Sequence, residues 1–110
     1  MNKKTVGNMG ENLAKTILEY KGYVILETNY KCKMGEIDII AKKGSLISFI
    51  EVKTRLTDAY GMGREAVNFS KQKHIKKTAE YYLMMSKNKY DECDFEVIEI
   101  GVSHLTGLQF

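Results

Sequence analysis

A chain of 110 residues suits one domain rather than two, and its 44% hydrophobic and 28% charged residues are ordinary for a soluble globular protein. No apolar run approaches the ~20 residues that a membrane-spanning helix needs, and no apolar segment follows the basic start Met1-Asn2-Lys3-Lys4-Thr5, so neither a membrane span nor a signal peptide is expected. The net charge of +3 is too small to indicate a nucleic-acid partner by itself.

The first predicted element is a helix over about Asn8 to Lys21, where Leu13, Ala14, Ile17 and Leu18 recur at helical spacing. Gly22 is its natural stop. Tyr23 to Thr28 is rich in β-branched and aromatic residues and reads as a strand. A loop with Lys31, Lys33 and Gly35 leads to a second strand, Glu36 to Ala41. Lys42-Lys43-Gly44-Ser45 is a turn, and Leu46 to Thr54 is a third strand, antiparallel to the second if that turn is tight. Arg55 to Arg64 lacks periodicity and is predicted as a loop. The longest helix is predicted over Ser70 to Ser86, with Ile75, Ala79, Tyr82 and Leu83 on one stripe. The run Tyr82-Leu83-Met84-Met85 reads as core. A last strand covers about Phe95 to Val102. A helix between the third and fourth strands permits a crossover, so the expected class is α/β, a mixed sheet flanked by helices.

Charge is unevenly spread. Ala66 to Ala79 holds no acid while Lys71, Lys73, Lys76 and Lys77 crowd together, and Asp91, Glu92, Asp94, Glu96 and Glu99 reverse the balance. Cys32 and Cys93 lie in no CxxC or Cys/His cluster, so two reduced thiols in a cytoplasmic protein are the expectation.

The chemistry lies in two apolar strands that carry charge. Asp38 sits within Ile37-Asp38-Ile39-Ile40 and Glu51 within Phe49-Ile50-Glu51-Val52, with Lys53 two residues on and so on the same strand face as Glu51. An ionised carboxylate in such surroundings needs a cation or a hydrogen-bond donor. Two readings fit. In one, both carboxylates share a hard cation, Mg²⁺ or Mn²⁺, and Lys53 faces a phosphate. In the other, the three charges form a buried salt bridge with no ligand.

Asp38, then Glu51-Val52-Lys53, resembles the PD-(D/E)xK nuclease motif in its Asp…Glu-x-Lys form. The wider string Asn29-Tyr30-Lys31-Cys32-Lys33-Met34-Gly35-Glu36-Ile37-Asp38-Ile39-Ile40-Ala41, followed by Phe49-Ile50-Glu51-Val52-Lys53-Thr54-Arg55, is similar to the YraN family of small bacterial proteins. Gly10-Glu11-Asn12-Leu13-Ala14 before it and Glu65-Ala66-Val67 with Lys71-Gln72 after it fit the same family. The likeness spans about Gly7 to Val102. It implies a restriction-endonuclease-like αβββαβ core, a single nuclease-like domain over residues 1–110, related in architecture to archaeal Holliday-junction resolvases.

The resemblance further implies an endonuclease that hydrolyses phosphodiester bonds of DNA, with branched or structured DNA among its substrates. Asp38 and Glu51 are then metal ligands and Lys53 the catalytic lysine. Glu11 matches the first-helix glutamate that approaches the metal in related nucleases; it also reads as an ordinary carboxylate near a helix N-terminus. Glu36 shares a face with Asp38 as a supporting acid. Lys31, Lys33, Arg55 and Arg64, in loops near the ends of the acid-bearing strands, together with Lys71 and Lys73 of the long helix, are the candidate phosphate contacts. Tyr30 and Tyr60 are candidates for stacking on bases.

The chain departs from the nuclease pattern in three places. Ile37 stands where the motif has proline, Lys76 where a tyrosine would follow Gln72, and Asp94 where the family often has arginine. His74 and His104 take no role. A homodimer would suit a junction-cutting enzyme, but no dimer signature is visible. Two rival readings remain: a nucleic-acid-binding module of the same fold without turnover, and a protein–protein adaptor built on the acidic C-terminal segment.

Overall fold

A computed structural model describes residues 2–57 and 69–109. The elements are α1 (Lys3–Tyr20), β1 (Val24–Cys32), β2 (Gly35–Lys43), β3 (Leu46–Thr57), α2 (Phe69–Met85) and β4 (Glu92–Ser103). This is the αβββαβ order of a mixed α/β fold. The four strands form one sheet in the order β1-β2-β3-β4. Neighbours β1–β2 and β2–β3 are antiparallel, and β4 returns parallel to β3 after α2. No helix among the described residues is long and apolar enough to cross a membrane.

The helix α1 starts five residues earlier than its periodicity indicates. Asn2 is its N-cap and accepts from the Thr5 N–H at 2.8 Å, satisfying a donor that the first turn leaves unpaired. Its end is the predicted one. Gly22 takes φ 95, its N–H reaches the Glu19 carbonyl, and the Tyr23 N–H reaches that of Leu18, each at 3.0 Å. These two bonds are a Schellman motif, which needs a residue with left-handed backbone where Gly22 stands. Leu18 and Tyr23 then pack together in one apolar cluster.

The sheet is covered on both faces, which explains why β2 and β3 read as nearly continuous apolar runs. On one face Ala14 and Leu18 of α1 pack on Ile39, Ala41, Ile50 and Ile100. On the other, Ile75 and Ala79 of α2 pack on Ile37, Ile40, Ile47 and Phe49. Leu13, predicted to join the α1 face, is 46% exposed. The face instead runs Gly10-Ala14-Leu18, strictly four residues apart. Tyr82 and Leu83 pack as predicted, but Met84 and Met85 lie at the exposed end of α2.

Two further expectations are corrected. Lys31 belongs to β1 and Arg55 to β3; neither lies in a loop. β1 continues to Cys32 because it is an edge strand, and its solvent-facing positions take polar residues without loss of pairing. β3 continues to Thr57 because β4 pairs with it along its whole length, from Leu46↔Glu92 to Thr57↔Ser103. Cys32 and Cys93 are both free thiols, as predicted.

Candidate active site

The candidate site forms where β2 parts from β3. Their ladder runs from Lys43↔Leu46 to Ile39↔Ile50 and then ends. Asp38 and Glu51 are the next residue on each strand. At this point Asp38 replaces the missing backbone partner: its Oδ2 accepts the Val52 N–H at 2.8 Å. A backbone donor that the parted strand no longer pairs is thereby satisfied. The acid in the apolar run is therefore a structural joint between two strands as well as a charge.

Glu11 arrives from above. Gly10 is buried against β3, and a Cβ there would run into the side chain of Thr54. Only glycine lets α1 settle this closely, and that approach sets Glu11 over the strand junction. Burial, and then the charge of Asp38, push the Glu11 carboxyl above its ordinary value; Glu36 pushes the same way, while Asn29 and Lys15 oppose. Asn29 lies close enough to Glu11 to oppose that rise. It sits in β1 with φ 52, a left-handed conformation that asparagine tolerates better than most residues. It stands between the pairs Thr28↔Ile39 and Tyr30↔Ile37, level with Asp38. Asp38 and Glu36 on β2 and Asn29 on β1 thus act on Glu11 of α1.

Glu51 is 7% exposed, a carboxylate nearly withdrawn from water. It lines a groove of ≈ 520 Å³ between α2 and β4, together with Phe49, Gln72, Ile75, Lys76, Phe95, Glu96 and Val97. Lys53 follows on the same strand face and is level with Glu99 of β4. Among the described residues, no three His, Cys, Asp or Glu side chains gather closely enough to hold a metal by themselves. Mg²⁺ is bound through one or two carboxylates with several of its waters kept, so two hard oxygen donors at a strand junction fit its chemistry.

The other predicted residues divide. Lys31 is near the acids and pairs with Glu36 at 3.8 Å, both side chains well exposed. Lys33 is exposed at the β1–β2 turn, Lys73 is exposed on α2, and Arg55 is half-buried in β3. Lys71 lies in the first turn of α2. Arg64 and Tyr60 lie outside the described residues. Tyr30 packs edge-on against Tyr82, with ring centroids 5.1 Å apart, so it belongs to the α2-side core and is not an open stacking platform.

Sequence reasoning missed Asn29, the Val52 amide and the groove. Gly10 carried a usable signal. A glycine inside a helix costs about 1 kcal/mol relative to alanine, so its presence one residue before Glu11 points to a close approach.

The description "Uncharacterised protein family UPF0102" matches residues 10–100. A UPF0102 protein of Caldicellulosiruptor bescii is 53% identical over 104 residues, covering 93% of this chain and 87% of the relative. One from Caldanaerobacter subterraneus subsp. tengcongensis is 49% identical over 100 residues, covering 91% and 82%. One from Clostridium tetani is 48% identical over 97 residues, covering 88% and 80%. The matched span holds Glu11, Asp38, Glu51 and Lys53, and the chain belongs to the UPF0102 family, the YraN family that its sequence resembles.

Proposed function

We propose that the protein is a metal-dependent endonuclease acting on phosphodiester bonds of DNA. The observation that carries this reading is the strand junction. Asp38 is locked to the Val52 amide, and the buried acid Glu51 and then Lys53 follow the end of the β2–β3 ladder.

Asp38 and Glu51 would hold Mg²⁺ or Mn²⁺, with Glu11 above Asp38 as a further carboxylate. When bound, such a cation lowers the pKa of a coordinated water and polarises the phosphodiester. The chain's own groups set the geometry around it. The Val52 N–H fixes one oxygen of Asp38 and so orients the other. The apolar strands around Glu51 exclude water and strengthen its attraction for a cation. The Lys53 ammonium donates to a phosphate oxygen and offsets negative charge as a water oxygen adds to phosphorus. Lys31, Lys33 and Lys73 supply sequence-independent contacts to flanking phosphates.

The test is cleavage of linear and branched DNA in Mg²⁺ or Mn²⁺ by the parent, Glu51→Ala and Lys53→Ala. The parent should cut and both variants should lose activity about a hundredfold or more, as expected when a group that stabilises transition-state charge is removed. Equal cleavage by all three would refute the assigned roles.

A further inference from the structure

The groove beside Glu51 is unlike the rest of the candidate site. Its floor is apolar and aromatic: Phe49, Ile75, Phe95 and Val97. Phe95 stacks on Phe49 with centroids 5.6 Å apart and ring planes 29° from parallel. Phe49 is 1% exposed, yet Phe95 stays 50% exposed and Val97 49%. A half-open ring braced by a buried one is a rigid platform, whose ordering cost has already been met by folding. The volume lies within the ~300–1,000 Å³ range of small-ligand sites.

The rims differ in charge. Lys76 stands on the helix side, with Lys73 and Lys77 exposed further along α2. On the strand side the groove face of β4 is uncharged at Phe95 and Val97, because Glu96 turns its carboxylate to the other face of the sheet, where Tyr23 donates to it at 3.5 Å. A polyanion that enters keeps its phosphates beside the α2 lysines and lays an uncharged flat group over Phe95. A nucleobase is such a group, and every base has a face that stacks on an aromatic ring. A paired base cannot enter, because both its faces are covered within the duplex. The groove is continuous with Glu51, so a base seated there belongs to a nucleotide close to the phosphate handled by Glu51 and Lys53.

We infer that this groove takes an unpaired nucleobase of a DNA strand whose backbone runs along α2, and that the substrate is DNA with a single-stranded stretch at the scissile phosphate. The inference rests on the nuclease reading for its second half only. Binding is measured by fluorescence anisotropy with a labelled single strand and with the same sequence fully paired, without divalent metal so that nothing is cut. The parent prefers the single strand. Phe95→Ala weakens single-strand binding about tenfold and leaves duplex binding within about twofold, while Phe95→Tyr, which keeps the ring, binds as the parent does. Single-strand binding by Phe95→Ala equal to the parent's overturns the inference. So does an equal loss for both DNAs, which marks Phe95 as a structural residue. Cleavage of a flapped and a linear duplex in Mn²⁺ separates the two readings. Equal cutting of both, at parental rate in Phe95→Ala, removes the groove proposal and leaves the nuclease standing. No cutting of any DNA, with the Phe95-dependent preference intact, removes the nuclease and leaves the groove as a single-strand binding site.

Discussion

Asp38 and Val52 are 14 residues apart in sequence, and the carboxylate of the first holds the backbone N–H of the second at 2.8 Å. This bond couples structure to charge at one position, and the two can be separated. In Asp38→Asn the side-chain carbonyl still accepts from Val52, so stability should change by less than about 1 kcal/mol. Asp38→Ala leaves the N–H without its acceptor and should cost about 1–3 kcal/mol. Under the nuclease proposal both variants lose DNA cleavage. Chemical denaturation and cleavage assays on the pair check this. A stable, fully active Asp38→Asn would show that the charge is not needed.

Under the nuclease proposal, the paired carboxylates Asp38 and Glu51 predict metal dependence. Chelation by EDTA should abolish cleavage, and added Mg²⁺ or Mn²⁺ should restore it. Calorimetric titration of Mn²⁺ into the parent should show saturable heat that is lost in Asp38→Asn. A DNA-binding module without turnover would bind DNA equally well in both proteins and show no metal heat. Its DNA affinity would still fall steeply with salt, because phosphate contacts release counterions.

The contact between Gly10 and Thr54 predicts a packing effect remote from any ligand. Gly10→Ala adds a methyl group where Thr54 already sits, so α1 must lift from β3. Overpacking of this kind costs about 1–3 kcal/mol. Thr54→Ala in the same chain should recover part of the loss, which a double-mutant cycle by urea denaturation would show. If the proposed site depends on Glu11, cleavage should fall in Gly10→Ala more than the loss of folded protein accounts for.

The sequence shows the element order plainly, for local reasons. β2 and β3 are apolar because both their faces are covered, and Gly22 marks the end of α1 because the Schellman turn demands it. Asp38 and Glu51 stood out as acids within those apolar runs. The extents of β1 and β3 were hidden by composition. Asn29, Lys31 and Cys32, past the predicted strand end at Thr28, look like loop residues, yet an edge strand accommodates them, and Arg55 is paired in β3 with Gly101 of a strand distant in sequence. The left-handed Asn29 and the Val52 amide depend on where β2 leaves β3, which is a property of the assembled sheet. The groove likewise exists only once α2 and β4 are set side by side.

Glu11 yields a prediction in pH. Its carboxyl titrates above the ordinary value chiefly through burial, and next through the charge of Asp38. The folded state therefore holds this proton more tightly than the unfolded chain does. The stabilising contribution is complete below the ordinary value of 4.5 and is lost as pH rises through the folded-state value. At pH 7 the ionised Glu11 is thus a small liability to the free protein. Glu11→Gln keeps the shape of the side chain and removes the charge, so it should melt higher than the parent at pH 7, on the order of a degree or two. The difference should vanish as pH approaches 4. Saturating Mg²⁺ should raise the parent's melting temperature more than the variant's, because a cation between Glu11 and Asp38 offsets the repulsion that raises the carboxyl. Thermal melts at several pH values, with and without Mg²⁺, would test this. A variant that gains as much from Mg²⁺ as the parent would show that Glu11 does not share the ion.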